Sequence, residues 1–265
     1  MHPMLTTAVK AARRAGNVIT RGARDLDLLT VTAKGPKDFV SEVDRAAEAA
    51  IVETIHSVYP EHAILAEEGT GRGRNPDAEH LWIIDPLDGT TNFLHGNPHY
   101  CVSIALLHNG VPEQGVVFDP NRNELFTATK GSGAYLNERR IRTSKLESFK
   151  DSLIATGFPF REESQFDEYV AQFSAMVRAT AGLRRPGAAA LDLAWVACGR
   201  VDGFWEIGLS PWDMAAGALL VREAGGRIGD LQGEDKFMES GKVVASNPKI
   251  FTQLLKTLGA RAEAV

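Results

Sequence analysis

The sequence predicts a mixed α/β (α+β) fold in one compact unit. The chain has 265 residues, of which 44% are hydrophobic and 24% charged, as in ordinary globular domains. Short apolar runs with strand-like spacing fill its middle, and amphipathic helical segments lie on both sides. Because the pattern shifts towards helices near residues 145–155, we expect an N-terminal α+β subdomain over 1–150 and a C-terminal α/β subdomain over 151–265.

Two helices are expected before the first long strands. Apolar residues from Leu5 to Ile19 recur at helical spacing, and Gly22 can end this helix. The second helix begins after Ser41, where Asp44 occupies the capping-box position, and it ends before Pro60.

Strands and hairpins follow from Ala63 to Tyr135, where apolar runs alternate with Gly, Pro and Asn clusters. The remainder predicts helices separated by short strands. These helices are expected near 165–180, 188–198 and 213–224 and after Pro248.

Charge and cysteine content exclude several classes of protein. With 29 basic and 34 acidic residues, the net charge of -5 provides no general field for nucleic acid. Cys101 and Cys198 lie in apolar runs, which favours core packing and a reducing compartment. Since no window resembles a leader or a membrane span, a cytoplasmic location without membrane association is expected.

Carboxylates at the ends of apolar strands are the main candidate site. Asp85 and Asp88 follow the strand Leu81–Ile84, Glu67 follows Ala63–Ala66, and Asp213 starts a helix. Carboxylates that converge on one point repel each other unless a cation lies between them, and oxygen ligands favour Mg²⁺. Helix amides after Asp88 would also favour phosphate, so the pattern indicates phosphoryl transfer.

Each of these acids also has a simpler explanation. Asp85 can cap a turn, Asp88 and Asp213 can cap helices, and Glu67 can lie on a solvated rim. Several other chemistries are excluded by missing motifs. The sequence lacks the G-x-x-x-x-G-K-[ST] phosphate loop, the G-x-S-x-G nucleophile elbow of hydrolases and the H-E-x-x-H zinc motif of metalloproteases. His95 and His99 are expected to be loop residues rather than zinc ligands.

Two longer runs resemble the signatures of the inositol monophosphatase family. They are W-I-I-D-P-L-D-G-T-T-N-F at 82–93 and W-D-M-A-A-G-A-L-L-V-R-E-A-G-G at 212–226. The similarity extends to residues 38–44, to Glu67–Glu68 and to residues 187–192. It implies a layered αβαβα sandwich of the inositol monophosphatase and fructose-1,6-bisphosphatase type, and a homodimer.

The resemblance also implies a site with two or three Mg²⁺ ions. One ion would be held by Glu67, Asp85 and the carbonyl group of Leu87, and a second by Asp85, Asp88 and Asp213. Glu67, Thr90 and Asp44 match catalytic positions, the last two orienting the attacking water. Phosphate would bind to the amides of Gly89 and Thr90.

Recognition of the alcohol is carried by fewer residues. Glu206 lies seven residues before Asp213 and matches an acid that accepts hydrogen bonds from ring hydroxyls, although it can also be a partly exposed strand carboxylate. The backbone near Gly187 and Ala189 matches a further substrate contact. Many relatives carry Ser or Thr after this glycine, where this chain has Ala188. If that hydroxyl contributes to specificity, its absence argues against a preference for inositol, although a backbone contact would remain.

The resemblance therefore implies an inositol-1-monophosphatase that hydrolyses myo-inositol 1-phosphate or a similar small polyol phosphate. Histidinol phosphate, fructose 1,6-bisphosphate, NADP and adenosine 3',5'-bisphosphate are alternative substrates, but Glu206 would repel a second phosphate. The chain looks most like bacterial members of the family. That implies a further binding role with RNA polymerase and antitermination factors in ribosomal RNA transcription, for which arginines such as Arg13, Arg14, Arg184 and Arg185 could provide an interface.

Overall fold

Two mixed β-sheets alternate with three layers of helices in the computed structural model, which describes residues 2–29, 31–35, 38–69, 78–159 and 163–259. The first elements are α1 (Pro3–Gly22), β1 (Val31–Gly35), β2 (Asp38–Ser41), α2 (Glu42–His56), β3 (Ala63–Ala66), β4 (His80–Asp88), α3 (Thr90–Leu94), β5 (Cys101–His108), β6 (Val111–Asp119), β7 (Glu124–Thr129), β8 (Gly133–Leu136) and β9 (Arg139–Arg140). They are followed by β10 (Leu153–Thr156), α4 (Phe166–Ala179), β11 (Gly182–Arg184), α5 (Ala189–Ala197), β12 (Gly203–Ile207), α6 (Pro211–Glu223), β13 (Arg227–Gly229), α7 (Phe237–Ser240), β14 (Lys242–Ser246) and α8 (Phe251–Gly259).

The larger sheet has seven strands in the order β3-β4-β5-β6-β7-β8-β9. Its β3–β4 pair is parallel and the other pairs are antiparallel. The smaller sheet has the order β11-β10-β12-β14-β13, in which β10 runs parallel to both of its neighbours. Strands β1 and β2 form a separate antiparallel pair.

Alternation along β4 shows how the larger sheet joins two cores. Trp82 and Ile84 pack into the cluster that also contains the buried face of α1 and α2. Leu81 and Ile83 point the other way, into the cluster that contains α5 and α6. Since successive side chains of a strand face opposite sides, one apolar run supplies both layers.

The middle helical layer lies between the two sheets. Both α5 and α6 are buried along most of their length, as expected for helices rich in alanine and leucine on all sides. A Cβ atom at Gly217 would collide with the Leu193 side chain, so glycine permits the close approach of these helices. On the far side of the smaller sheet, α4 and α8 complete the αβαβα order that the resemblance implied.

Several sequence-based boundaries are confirmed. Helix α1 ends at Gly22, and α2 begins with the Ser41–Asp44 capping box. Asp213 is not the N-cap of α6, contrary to the simpler explanation of this acid. Ser210, three residues earlier, is the N-cap, and Asp213 is its capping-box partner. Within the part of the chain that the structure describes, no helix is long and apolar enough to cross a membrane.

Candidate active site

The end of β4 brings two aspartates to one point. A regular strand would direct Asp85 and Asp88 to opposite faces, but the pairing with β5 shifts register between them. The turn is held by Asp85, whose Oδ1 accepts a hydrogen bond of 3.0 Å from the Leu87 amide. The turn-capping role of Asp85 is therefore real, and it coexists with the convergence of the two carboxylates.

Helix α6 adds the third carboxylate. Asp213 Oδ2 accepts a hydrogen bond of 2.7 Å from the Ser210 amide, and Ser103 on β5 donates to the Trp212 carbonyl group at 3.1 Å. These contacts fix the start of α6 against the larger sheet. One carboxylate oxygen each from Asp85, Asp88 and Asp213 lies within 4.8 Å of the others, and all three residues are buried.

The electrostatics of this cluster favour a cation. Burial, followed by the charge of Glu67, raises the pKa of Asp85 well above its ordinary value. Burial and the charge of Asp213 also raise the pKa of Asp88, against the opposing effect of the Ala190 amide, which donates to Asp88 Oδ2 at 2.7 Å. An oxygen-only set of converging carboxylates fits a hard divalent cation.

Glu67 lies beside this cluster. It follows β3, and its amide donates to the Ile84 carbonyl group at 3.2 Å, which keeps the turn after β3 next to β4. Since β3 and β4 are parallel, their carboxyl ends lie at the same edge of the sheet. The parallel pairing therefore explains why acids separated in sequence meet here.

Thr90 and Asp44 are also brought together. Thr90 Oγ1 lies 2.8 Å from Asp44 Oδ1 and 3.1 Å from the Leu87 carbonyl oxygen. Asp44 Oδ2 accepts hydrogen bonds from the amide and hydroxyl groups of Ser41 at 2.8 and 2.5 Å. The capping box of α2 thus holds the carboxylate that receives the Thr90 proton.

The loop before α5 is tied to the same motif. Asn92 Nδ2 donates to the carbonyl oxygens of His99, Pro186 and Gly187 at 2.7, 2.8 and 3.2 Å. Gly89 has φ of 92° and faces the Ala188 side chain, so a larger residue there would be strained and crowded. The predicted contact region around Gly187 and Ala189 consequently lies next to the phosphate-binding turn proposed at Gly89.

Glu206 on β12 faces the cluster from the smaller sheet. Burial raises its pKa well above the ordinary value, and Asp192, Asp213 and Asp88 raise it further, while Arg185 lowers it. Its carboxylate lies against Gly157, where any side chain would collide with it. The residue keeps partial exposure, so it can meet a solute as well as the neighbouring acids.

Asp192 has no role in the sequence-based predictions, although residues 187–192 belong to the stretches that resemble the inositol monophosphatase family. Asp192 is buried, with Oδ1 3.3 Å from His99 Nε2 and with Oδ2 lacking a hydrogen-bond partner among the described residues. Desolvation raises the pKa of Asp192 to about 6. A charged residue inside the apolar run of α5 could have drawn attention to Asp192. Its partner, His99, lies 93 residues away, so the sequence did not indicate the pairing.

Cys101 combines the expected core packing with a contact to the site. It is buried, and its Sγ lies 3.7 Å from Asp88 Oδ2. Burial raises the pKa of the Cys101 thiol well above its ordinary value. The protonated thiol can therefore donate a weak hydrogen bond to Asp88 rather than act as a nucleophile.

Comparison with known proteins identifies relatives along the whole chain. The sequence model described as "Inositol monophosphatase family" matches residues 1–263. A protein of Pseudomonas aeruginosa named "Nus factor SuhB" is 54% identical over 261 residues, which cover 97% of this chain and 96% of the relative. The crystal structure of the extragenic suppressor protein suhB from Bartonella henselae superposes with a TM-score of 0.94 at 42% identity, covering 98% of this chain and 99% of that one.

Two more distant structures contain small molecules. One is a dual specific IMPase/NADP phosphatase bound with D-inositol-1-phosphate, at 25% identity and a TM-score of 0.81. The other is an IMPase/NADP phosphatase complexed with Mg²⁺ and phosphate, at 26% identity and a TM-score of 0.81. Each covers 94% of this chain, and 92% of its own length is matched.

Proposed function

This chain belongs to the inositol monophosphatase family, and we propose that it is a Mg²⁺-dependent phosphomonoesterase that hydrolyses myo-inositol 1-phosphate or a similar small polyol phosphate. The observation that carries the proposal is the convergence of Asp85, Asp88 and Asp213 within 4.8 Å in a buried position. The homodimer and the cytoplasmic location stay predictions.

The donor atoms support divalent-metal binding. Asp85, Asp88 and Asp213 would hold one ion, and Glu67, Asp85 and the Leu87 carbonyl group would hold another. Bound Mg²⁺ supplies positive charge that polarises the phosphate ester and makes a water molecule more acidic. The amide of Ala190 and the thiol of Cys101 contact Asp88 and fix its direction. These contacts set the position of the ligand oxygens before an ion arrives.

Thr90 and Asp44 would orient the attacking water. With its proton donated to Asp44 at 2.8 Å, the Thr90 hydroxyl keeps lone pairs that can accept a hydrogen bond from water. Asp44 is itself held by Ser41, so the pair has little freedom to turn away. A fixed acceptor of this kind aligns the water with phosphorus and accounts for part of the rate.

Glu206 would select the alcohol. A half-buried carboxylate surrounded by other acids gains from hydroxyl donors, and a polyol provides several. A second phosphate would instead add negative charge beside Asp192, Asp213 and Asp88, whose charges already raise the pKa of Glu206 after burial. The same residues therefore favour inositol 1-phosphate over fructose 1,6-bisphosphate, NADP or adenosine 3',5'-bisphosphate.

The test is phosphate release from a panel of small phosphate esters, with Mg²⁺ and again with EDTA. We expect metal-dependent hydrolysis that is fastest on the inositol ester. Glu206→Gln should raise KM for that ester while leaving KM for p-nitrophenyl phosphate, which lacks the ring hydroxyls, unchanged. Hydrolysis of none of the esters would reject the phosphatase, and a maximum on another ester would reject only the substrate.

A second candidate function is binding to the transcription machinery. It is favoured by the relative in Pseudomonas aeruginosa that carries the name Nus factor SuhB at 54% identity. Of the arginines predicted for an interface, Arg14 pairs with Glu53 at 2.5 Å and Arg185 stacks on Phe158. Arg184 is exposed and would be the residue to substitute.

Co-purification with RNA polymerase and its elongation factors tests this role. Enrichment over an unrelated protein of similar charge, with loss in Arg184→Glu, would support it. Because Arg184→Glu leaves the acidic cluster intact, phosphatase activity should not change in this variant. An absence of enrichment would count against the binding role without affecting the phosphatase proposal.

A further inference from the structure

Histidines from three neighbouring segments stack at the opposite end of β4 from the acidic cluster. His62 precedes β3, His80 begins β4 and His108 ends β5. The ring centroids of His62 and His80 are 4.5 Å apart, and those of His80 and His108 are 4.8 Å apart, with nearly parallel planes. From His80 to Asp85 the strand advances roughly 16 Å, so this group is separate from the candidate active site.

We propose that Glu79, His80 and His108 form a second metal site, which takes a borderline divalent transition ion such as Zn²⁺. One ligand atom from each residue lies within 4.8 Å of the others. His80 and His108 are direct partners in the antiparallel pairing of β4 and β5, which places their side chains on the same face. Two imidazoles and one carboxylate suit Zn²⁺, with a fourth position left for water.

Glu113 on β6 orients one of the imidazoles. Its Oε1 lies 3.3 Å from His108 Nδ1, so the Nδ1–H group donates to the carboxylate. Nε2 then carries the lone pair, which accepts a hydrogen bond from the Asn109 amide nitrogen at 3.2 Å and lies 3.5 Å from Glu79 Oε1. A carboxylate behind the metal-free nitrogen of a histidine ligand is a recurring feature of protein metal sites.

In this tautomer, the Asn109 amide donates to His108 Nε2 at 3.2 Å, and Glu79 Oε1 lies 3.5 Å from the same nitrogen. A metal ion held by Nε2 and the Glu79 carboxylate would replace the amide contact. The second imidazole, from His80 on the same face, favours a metal ion, because the contacts of His108 with Asn109 and Glu79 need no third ligand.

The packing around His80 limits its motion and leaves the site accessible. His62 stacks on His80, and His62 Nδ1 accepts a hydrogen bond of 3.1 Å from Trp82 Nε1, with Tyr59 stacked on its other face. The Glu79 side chain is 69% exposed and that of His108 is 36% exposed. An ion from solvent can therefore reach the group. Because an imidazole binds a metal in the plane of its ring, the partly exposed His108 ring would turn out of the stack to share the ion with His80.

Calorimetric titration of the EDTA-stripped full chain with Zn²⁺, in excess Mg²⁺ to saturate the acidic cluster, tests the proposal. We expect one Zn²⁺ per chain, with binding weakened at least about tenfold in His80→Ala, His108→Ala and Glu79→Gln. The exposed Glu79→Gln variant keeps the histidine stack, so it remains informative if a histidine variant fails to fold. His95→Ala, at another exposed histidine, is the matched control and should bind as the wild type does.

Two outcomes would overturn the site. If Zn²⁺ binding survives in the three variants and disappears in Asp88→Asn, the ion belongs to the acidic cluster. If no Zn²⁺ binds in excess Mg²⁺, Glu79, His80 and His108 do not form a metal site. Since the titration does not use a phosphate ester, its result is independent of the proposed phosphatase activity.

Discussion

The two ends of β4 gather ligand atoms of opposite character. At its carboxyl end, Asp85 and Asp88 are buried and join Asp213 in a set of oxygen donors. At its start, His80 joins Glu79 and His108 in a set that is partly exposed and contains nitrogen. One strand therefore presents a site suited to a hard cation and a site suited to a borderline one.

The difference in burial decides how each end is coupled to the rest of the protein. The buried aspartates are fixed by backbone amides. Burial, followed by the charge of Glu67 at Asp85 and of Asp213 at Asp88, raises the pKa of both carboxyl groups. The exposed end holds one carboxylate and two imidazoles instead of three buried carboxylates, so it has no comparable repulsion without an ion. We therefore expect changes at the acidic end to alter activity and stability, and changes at the histidine end to alter neither strongly.

The largest expected effect is that of Asp88→Asn. It removes a ligand charge while keeping the shape, so kcat for phosphate release should fall by roughly three orders of magnitude. In EDTA the same variant should be more stable than the wild type at neutral pH, because a raised pKa means that the ionised carboxylate is unfavourable in the folded state. Phosphate release and urea unfolding measure the two effects.

Asp119→Asn is the matched control for a buried carboxylate outside the cluster. Asp119 Oδ2 accepts a hydrogen bond of 2.6 Å from Arg122, and its Oδ1 accepts from the amides of Asn121 and Arg122. This substitution should reduce stability by about 1–3 kcal/mol and leave kcat close to that of the wild type. Equal losses of activity in both variants would contradict the site assignment.

Asp192→Asn is expected to have the next largest effect, on the pH dependence of stability. The pKa of Asp192 is raised to about 6 by burial. A raised pKa favours folding below the unfolded value, near 3.9, and this contribution is lost as pH rises through about 6. In EDTA, the wild type should therefore lose on the order of 3 kcal/mol relative to Asp192→Asn between pH 4 and pH 8, measured by urea unfolding.

Parallel pH curves for these two proteins would show that Asp192 does not titrate with folding. Burial of Asp192 would then not be a source of pH-dependent stability at the acidic end. His99 should be kept in both proteins, since its ring lies 3.3 Å from the substituted carboxylate.

Removal of the metal should have a slightly smaller effect on stability than the titration of Asp192. Mg²⁺ at a hundredfold excess over its Kd should raise the free energy of unfolding by about 2.7 kcal/mol relative to EDTA. The gain should be lost in Asp88→Asn and kept in Glu79→Gln. A gain that persists in Asp88→Asn would place the stabilising ion elsewhere.

The smallest effect is expected at the start of β4. Glu79→Gln without Zn²⁺ should change the free energy of unfolding by less than about 0.5 kcal/mol, because its side chain is 69% exposed. Its phosphatase activity should equal that of the wild type. A large loss of either would show that the two ends of the strand are coupled.

Local features could be read from the sequence because short spacing determines them. Helical periodicity placed α1, and the three-residue interval between Ser41 and Asp44 identified the capping box of α2. The D-P-L-D-G run likewise indicated a turn after a buried strand. The layer order and the meeting of Asp213 with Asp85 came from the resemblance, since no local rule relates residues so far apart.

The tertiary structure alone decided the remaining contacts. The Ala190 amide on Asp88, the pairing of Asp192 with His99 and the stack of His62, His80 and His108 have no signature in the sequence. Each depends on strand register or on the position of a helix relative to a sheet. A shift of one residue in the β4–β5 pairing would separate His80 from His108, because neighbouring positions of a strand face opposite sides.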